Sequence, residues 1–293
     1  AAIRPTPAIL LAGALMTVGL IAKAALFPLH LWLPPAHAGA PAPASAVLSA
    51  LVVKAPVFLI VRLWFDVMPG VFGFAAGQIL GTLGAAAILF GGVLALRQQR
   101  LKLLVAYSTV AQIGYLFILF PLVQLGSPNA WTGGIMQLVS HAIAKAAMFL
   151  AAGLIAQRLG HDRIADLGGI GRALPMTTLA FGLAGLSLMG LPPSGGFIAK
   201  WLLLLTSLQT GQWWWSLPLL LGGLLTGAYL LRILAPSLAG GGTVTEPVAP
   251  VTRRREALVL VLAASSIALG LVPLASLNLM QIGRLAIPAV IGP

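Results

Sequence analysis

Apolar runs of roughly 20 residues recur along the whole chain, separated by short segments that hold most of its charges. A helix rising ~1.5 Å per residue needs about 20 such residues to cross ~30 Å of hydrocarbon. Each run therefore predicts a transmembrane helix; a barrel strand would alternate apolar and polar positions over a shorter stretch. The runs cover roughly 8–33, 43–65, 73–96, 103–125, 132–157, 175–207, 213–235 and 256–275. The predicted class is an all-α polytopic membrane protein with about eight transmembrane helices. A final apolar segment, 276–293, carries Arg284, Pro288 and Pro293 and reads as an interfacial helix or the start of a longer element.

Two of these runs are interrupted where a plain membrane helix would not be. The sixth contains Gly190-Leu-Pro-Pro-Ser-Gly-Gly-Phe-Ile-Ala-Lys200, in which Pro192, Pro193, Gly195 and Gly196 predict a break and restart inside the bilayer. The first contains Lys23-Ala-Ala-Leu-Phe-Pro28-Leu-His30, again a lysine within a few residues of a proline break. Five spans separate the two, an odd number, so the broken helices cross the membrane in opposite directions. That pattern predicts an inverted repeat with discontinuous helices lining an ion site. With a five-helix unit, residues 1–65 hold the last two helices of a first, truncated repeat. Residues 73–235 hold a complete second repeat, and 236–293 a cytoplasmic loop plus a C-terminal helix and tail. About three helices are then expected upstream, in keeping with a start, Ala1-Ala-Ile-Arg4-Pro-Thr-Pro, that lacks an initiator methionine and any signal-peptide cleavage pattern.

Composition sharpens this picture. Of the 293 residues, 59% are hydrophobic and 8% charged, and the mean hydropathy is +1.03. Lys and Arg number 17 against 5 Asp and Glu. The excess argues for membrane topology and not for nucleic acid, because most of the cations outside the spans lie in three short loops. The loops after spans three, five and seven hold Arg97, Arg100, Lys102, Arg158, Arg163, Arg172, Arg253, Arg254 and Arg255, whereas those after spans two, four and six hold no Lys or Arg. The odd-numbered loops are thus expected on the cytoplasmic side, in a bacterial inner membrane. Arg4 and Arg62 lie on the other side in this scheme. The chain has no cysteine, which excludes disulfides, Cys-ligated clusters and c-type haem attachment. Asp166-Leu-Gly-Gly-Ile-Gly-Arg172 follows no strand and is not read as a nucleotide loop.

The candidate chemistry lies in the spans. Lys23, Lys54, Lys145 and Lys200 all fall within apolar runs, and Lys54 and Lys145 stand about ten residues, or ~15 Å, from either end. A lysine stem does not snorkel that far, so an ammonium there must be hydrated, paired or neutral. Desolvation disfavours the charged form, and a lysine able to take both forms can load and release protons. All five acids, Asp66, Asp162, Asp166, Glu246 and Glu256, sit in loops or at span ends, leaving these lysines without a carboxylate in the spans. His141 precedes Lys145 by four residues and Gln137 precedes His141 by four, placing the three on one helical face, with Ser140 directed away from it. Ser108, Gln112 and Tyr115 form a second polar stripe on span four. Plainer readings stand beside these: snorkelling for Lys23 and Lys200, an interhelical hydrogen bond for His141, boundary positions for His30 and His37, a loop site for His161, packing for the Ser108 stripe. Trp213 to Trp215 read as an interfacial aromatic belt.

With these residues in hand, the chain resembles the antiporter-like, proton-translocating subunits shared by respiratory complex I, Mrp-type multisubunit sodium/proton antiporters and membrane-bound hydrogenases. The likeness rests on Lys23-Ala-Ala-Leu-Phe-Pro-Leu-His-Leu-Trp-Leu-Pro-Pro-Ala-His37 and the following stretch to Lys54, on Ala106-Tyr-Ser-Thr-Val-Ala-Gln-Ile-Gly-Tyr115, on His141-Ala-Ile-Ala-Lys145, and on Asp166 to Lys200. The resemblance implies a fourteen-helix fold of two inverted five-helix units around a hydrated axis of charged residues. By it Lys23 and Lys200 match the lysines of the two broken helices, Lys54 the lysine of the next helix, and His141 with Lys145 the relay between them. Some branches carry a glutamate where this chain has Lys200. The family's glutamate partner of the first lysine lies upstream of Ala1. The implied function is proton transfer along lysines, histidine and water within a multisubunit ion-pumping complex. Its partners are other membrane subunits, the lipid bilayer and protons, with sodium or potassium exchange, or a scaffold with a vestigial path, as alternatives. No cofactor, metal or redox chemistry of its own is expected, although the host complex can be a redox-driven oxidoreductase.

Overall fold

A computed structural model describes residues 5–239 and 248–272. Arg4, Glu246 and the segment 276–293 with Arg284, Pro288 and Pro293 lie outside the described residues. Thr6 caps α1 (Pro7–Ala24), its hydroxyl accepting from the Ile9 amide at 3.3 Å. The apolar run 8–33 predicts one helix, but α1 stops at Ala24. Ala25 adopts the left-handed conformation (φ 56°), and the Leu26 amide turns back to the Ile21 carbonyl at 3.2 Å. The chain then turns through Pro28 into the short α2 (Leu33–Gly39). The second run is α3 (Ala42–Val47) and α4 (Lys54–Arg62), joined by one wide π-helical turn over Leu48–Val52 and followed by another over Leu63–Val67.

Next come α5 (Phe74–Arg97), α6 (Leu101–Val123) and α7 (Pro128–Leu159). Helix α6 is the axis of the fold, with almost every side chain buried. It meets α5 at Gly84 and Gly114, where a Cβ on Gly114 would stand 2.3 Å from the Gly84 carbonyl oxygen, so only glycine permits the approach. At 32 residues α7 is ~48 Å long and exceeds the hydrocarbon thickness. After the one-turn α8 (Ile170–Ala173), the run 175–207 divides into α9 (Pro175–Met189) and α10 (Gly195–Gln209). Helices α11 (Ser216–Leu238) and α12 (Arg253–Ala268) complete the described residues. Among the described residues six segments are long and apolar enough to cross a membrane; the two 15-residue halves of the broken helix and the 16-residue α12 account for the other expected runs. The outer faces of α1, α4 and α11 expose Leu11, Leu15, Phe58, Leu224 and Leu231, a surface suited to lipid.

The loops sort into two ends. Arg100 Nε donates to Asp162 at 2.8 Å, the Leu101 amide donates to the Asp162 carbonyl at 2.7 Å, and the Ile164 amide to that of Gln99 at 2.9 Å. The Val248 amide reaches the Arg158 carbonyl at 3.1 Å, and Arg255 donates to Gln157 at 2.7 Å. The three arginine-rich loops thus meet at one end of the bundle. At the other end Gln124 donates to the Phe72 carbonyl (3.2 Å) and Gln212 to that of Pro121 (3.1 Å), joining the three loops without Lys or Arg. Trp213 and Trp214 are exposed there, whereas Trp215 is buried with its indole N–H on Gln212.

Glu256, in the first turn of α12, is buried and accepts from the Thr177 amide (3.1 Å) and hydroxyl (3.0 Å). Its carboxylate satisfies a first-turn donor of α9 and favours the positive end of that helix. Glu256→Ala strands both Thr177 donors in a buried place. The expected cost is about 1–3 kcal/mol, read as a lowered midpoint of thermal unfolding in detergent.

Candidate ion path in the bundle interior

Lys54, Lys145 and Lys200 are all buried, and among the described residues none is paired with a carboxylate. Oxygen atoms of the backbone and of hydroxyls receive them instead. Lys54 opens α4 directly after the π-helical turn, whose wide winding leaves the Ser49 carbonyl pointing at Nζ, which donates to it. The Ser49 hydroxyl in turn lies 3.0 Å from that of Thr109 on α6, and Thr109 donates to the Val105 carbonyl at 3.1 Å.

Val105 is where Lys145 arrives. Its Nζ donates to the Val105 carbonyl at 2.8 Å and to the Ser108 hydroxyl, which itself donates to Val105 at 2.9 Å. Three side-chain donors therefore crowd one carbonyl, more than its two lone pairs serve at once, and they compete for it. One turn back on α7, His141 is buried within Coulombic range of all three lysines, and neither ring nitrogen has a hydrogen-bond partner among the described residues. A further turn back, Gln137 donates to the Gln112 side-chain oxygen at 3.0 Å. The stripes of α6 and α7 thus face each other, Ser108 against Lys145 and Gln112 against Gln137. Ser140, off that stripe as its spacing predicts, is buried against the Ser187 hydroxyl at 3.1 Å.

The break between α9 and α10 completes the line. Gly190 ends α9 in the left-handed region (φ 88°), and a Cβ there would also stand 2.7 Å from Lys200 Cδ. Pro192 and Pro193 lie in the break, and the Ser194 hydroxyl caps α10 by accepting from the Phe197 amide at 3.1 Å. Gly195 and Gly196, expected within the break, instead form the first turn of α10. They are glycines for closeness, since a Cβ on Gly196 would fall 1.8 Å from the Ser187 carbonyl oxygen. Lys200 Nζ reaches back to the C-terminal end of α9, donating to the carbonyls of Leu188 (2.6 Å) and Met189 (3.3 Å), the favourable place for a cation on a helix dipole. The Leu188 carbonyl also accepts from Gln112 Nε2 at 3.0 Å, and so joins the α6–α7 stripes to Lys200. Tyr115 offers Lys200 its ring face, with Nζ 4.1 Å from the centroid, while its hydroxyl donates to the Leu219 carbonyl at 3.3 Å.

A polar line from Lys54 to Lys200 results. Lys23 does not join it: it stands exposed in the last turn of α1, with no hydrogen bond or ion pair among the described residues. His30 is buried, but beside the rings of Phe27 and Phe90. His37 is buried and stacked on Phe149, whose ring also lies 5.9 Å from Lys145 Nζ. Sequence reasoning missed Ser49, Thr109 and Tyr229. Tyr229, fully buried on α11, donates to Thr226 at 3.3 Å and has the side chains of Ser108 and Gln112 beside it. The available signals were Ser49 five residues before Lys54, Thr109 next to Ser108, and one tyrosine on an otherwise leucine-rich helix.

Residues 2–226 match the family described as NADH:quinone oxidoreductase/Mrp antiporter, TM. Subunit N of the NADH-quinone oxidoreductase of Desulforudis audaxviator is 37% identical over 260 residues, covering 85% of this chain and 50% of that protein. A probable K(+)/H(+) antiporter subunit of Rhizobium meliloti is 40% identical over 197 residues, 67% of this chain and 19% of that one. The chain thus spans about half the length of the first of these relatives, and less of the second. Among solved structures, a chain of the Mrp complex from Dietzia sp. DQ12-45-1b superposes with a TM-score of 0.85 at 26% identity, over 96% of this chain and 61% of that one. The polar line, the split α9–α10 helix and these matches agree on one assignment: the chain is an integral membrane protein and belongs to the NADH:quinone oxidoreductase/Mrp antiporter transmembrane family.

Proposed function

We propose that this chain is a proton-translocating subunit of a multisubunit membrane complex, and that protons move along the interior line between Lys54 and Lys200. The observation that carries the reading is the alignment of two hydrogen-bonded runs, Lys54, Ser49, Thr109, Val105 and Lys145 in one and Gln137, Gln112, Leu188 and Lys200 in the other, with the unbonded His141 between them on the α7 stripe. In this reading Lys145 holds a proton between Val105 and Ser108, and His141, ringed by lysines, passes it along the stripe with water. Lys200 exchanges with one side of the membrane. Lys23 acts as a switch against a carboxylate that lies upstream of Ala1 or on another polypeptide, and its exposure suits that role. Residues 1–65 and 73–235 are read as parts of two inverted repeats. The end of the bundle that gathers the arginine loops is assigned to the cytoplasm of a bacterial inner membrane.

The test is proton flux in vesicles holding the assembled complex. Lys54→Ala and Lys200→Ala should each reduce the flux to background while the chain remains assembled. Unchanged flux in both would overturn the assignment, and disturbed assembly with normal flux would mark a scaffold with a vestigial path. The antiporter relative and the Mrp superposition favour coupled sodium or potassium exchange as the second reading, which predicts flux that depends on those cations.

A further inference from the structure

We infer that Tyr229 on α11 is a further relay residue, its hydroxyl passing a proton between the two hydrogen-bonded runs, from Ser108 towards the Gln112 stripe. The inference rests on the proton reading above. In that reading the first run ends where Lys145 meets Ser108, and the second begins where Gln137 meets Gln112. Ser108 and Gln112 stand one turn apart on α6, and among the described residues no hydrogen bond joins them. His141 lies in the same interval on α7 and bonds to neither. The runs are therefore aligned but unjoined on the α6 and α7 sides.

Packing brings the tyrosine to this interval from a third side. Helix α6 runs away from the arginine loops and α11 runs back towards them, Gln212 before α11 donating to the Pro121 carbonyl near the end of α6. Gly222 of α11 faces Tyr115 of α6 so closely that a Cβ on it would stand 2.3 Å from the Tyr115 hydroxyl oxygen. Seven residues beyond Gly222, two turns or ~10.5 Å along α11, is Tyr229; the same distance back from Tyr115 along α6 is Ser108. This register sets the buried Tyr229 hydroxyl against the α6 stripe, and the side chains of both Ser108 and Gln112 interact with it. Thr226, on the same face of α11, accepts from Tyr229 at 3.3 Å and donates onward to the Gly222 carbonyl at 2.7 Å. A bond of 3.3 Å is long for two hydroxyls, so the phenol proton is lightly held and free to turn. Ser108 Oγ and Gln112 Oε1 each accept one bond and keep a second lone pair. Ser108 gives its proton to Tyr229 and takes one from Lys145, while Tyr229 gives its own to water on the Gln112 stripe; both hydroxyls end neutral, as they began.

The experiment measures proton flux of the assembled complex in vesicles beside its unfolding midpoint in detergent. Tyr229→Phe removes the hydroxyl alone and strands nothing: Ser108 keeps Val105 and Lys145, Gln112 keeps Leu188 and Gln137, and Thr226 keeps Gly222. The midpoint should hold while flux falls roughly tenfold or more. A second variant separates a relay from a packing role. Replacing Tyr229 by 3,5-difluorotyrosine preserves the shape of the ring and makes its hydroxyl more acidic, so both the flux and its solvent deuterium isotope effect should change. Wild-type flux in Tyr229→Phe, flux lost only together with stability, or a difluorotyrosine protein with wild-type flux and isotope effect would each overturn the inference. Flux lost in Lys54→Ala and Lys200→Ala but kept in Tyr229→Phe would sink this step and leave the proton reading standing, whereas flux unchanged in the lysine variants would remove both.

Discussion

Lys145→Met should abolish proton flux while leaving thermal stability unchanged or raised. The Lys145 Nζ is fully buried and held by a carbonyl and a hydroxyl, with no carboxylate among the described residues. A charge at that depth costs several kcal/mol that neutral acceptors offset only in part. Methionine is close in length and apolar, so it fills the same space. Nothing is stranded by the exchange, because the Val105 carbonyl still accepts from Ser108 and Thr109, and Ser108 keeps its own acceptor. Removing a positioned proton-transfer group typically costs about 10²–10⁴-fold in rate. Flux across proteoliposomes and the unfolding midpoint in detergent are the two measurements. A variant that loses stability as well as flux would make Lys145 part of the packing, and one that keeps its flux would remove it from the path.

Gly196→Ala carries the largest expected structural effect. The added Cβ would meet the Ser187 carbonyl oxygen at 1.8 Å and its carbon at 2.8 Å, and neither moves unless the end of α9 moves. Overpacking of this kind typically costs about 1–3 kcal/mol, and more where backbone is displaced. The same displacement shifts Leu188, so flux should fall together with stability. Gly19→Ala on α1 is the matched control, since nothing lies within 4 Å of its added Cβ. There the helix propensity of alanine should leave stability equal or raised by up to about 1 kcal/mol. Equal stability for both variants in thermal unfolding would show that the α9–α10 contact is loose enough to admit a methyl group.

How much of this was legible in the residues depends on whether a feature is local. The spans were, because hydrocarbon thickness imposes length and apolarity on every crossing helix. The α9–α10 break was, because two prolines in an apolar run leave few alternatives. The stripes of α6 and α7 were legible as faces, since spacing by four fixes direction along a helix, but their pairing with each other belongs to tertiary packing. Ser49 and Thr109 were not legible: single hydroxyls are common in membrane helices, and only the π-helical turn and the approach of α6 bring these two together. Gly195 and Gly196 predict part of the break from sequence, whereas their cause is proximity, of Gly196 to α9 and of Gly195 to Leu269. The exposure of Lys23 could not be read either, because spacing says which side of α1 a residue occupies and not what stands opposite.

The acceptor shared by Gln112 and Lys200 is the Leu188 carbonyl, a main-chain atom. Substitution of Leu188 itself leaves that oxygen in place, so a scan of side chains would pass over the junction and record it as inert. Its weight would emerge only in chemistry that edits the peptide bond, such as replacing the amide by an ester to weaken the carbonyl as an acceptor. Genetic variation among relatives is blind to it for the same reason: what selection can act upon there is the placement of α9, not an amino acid.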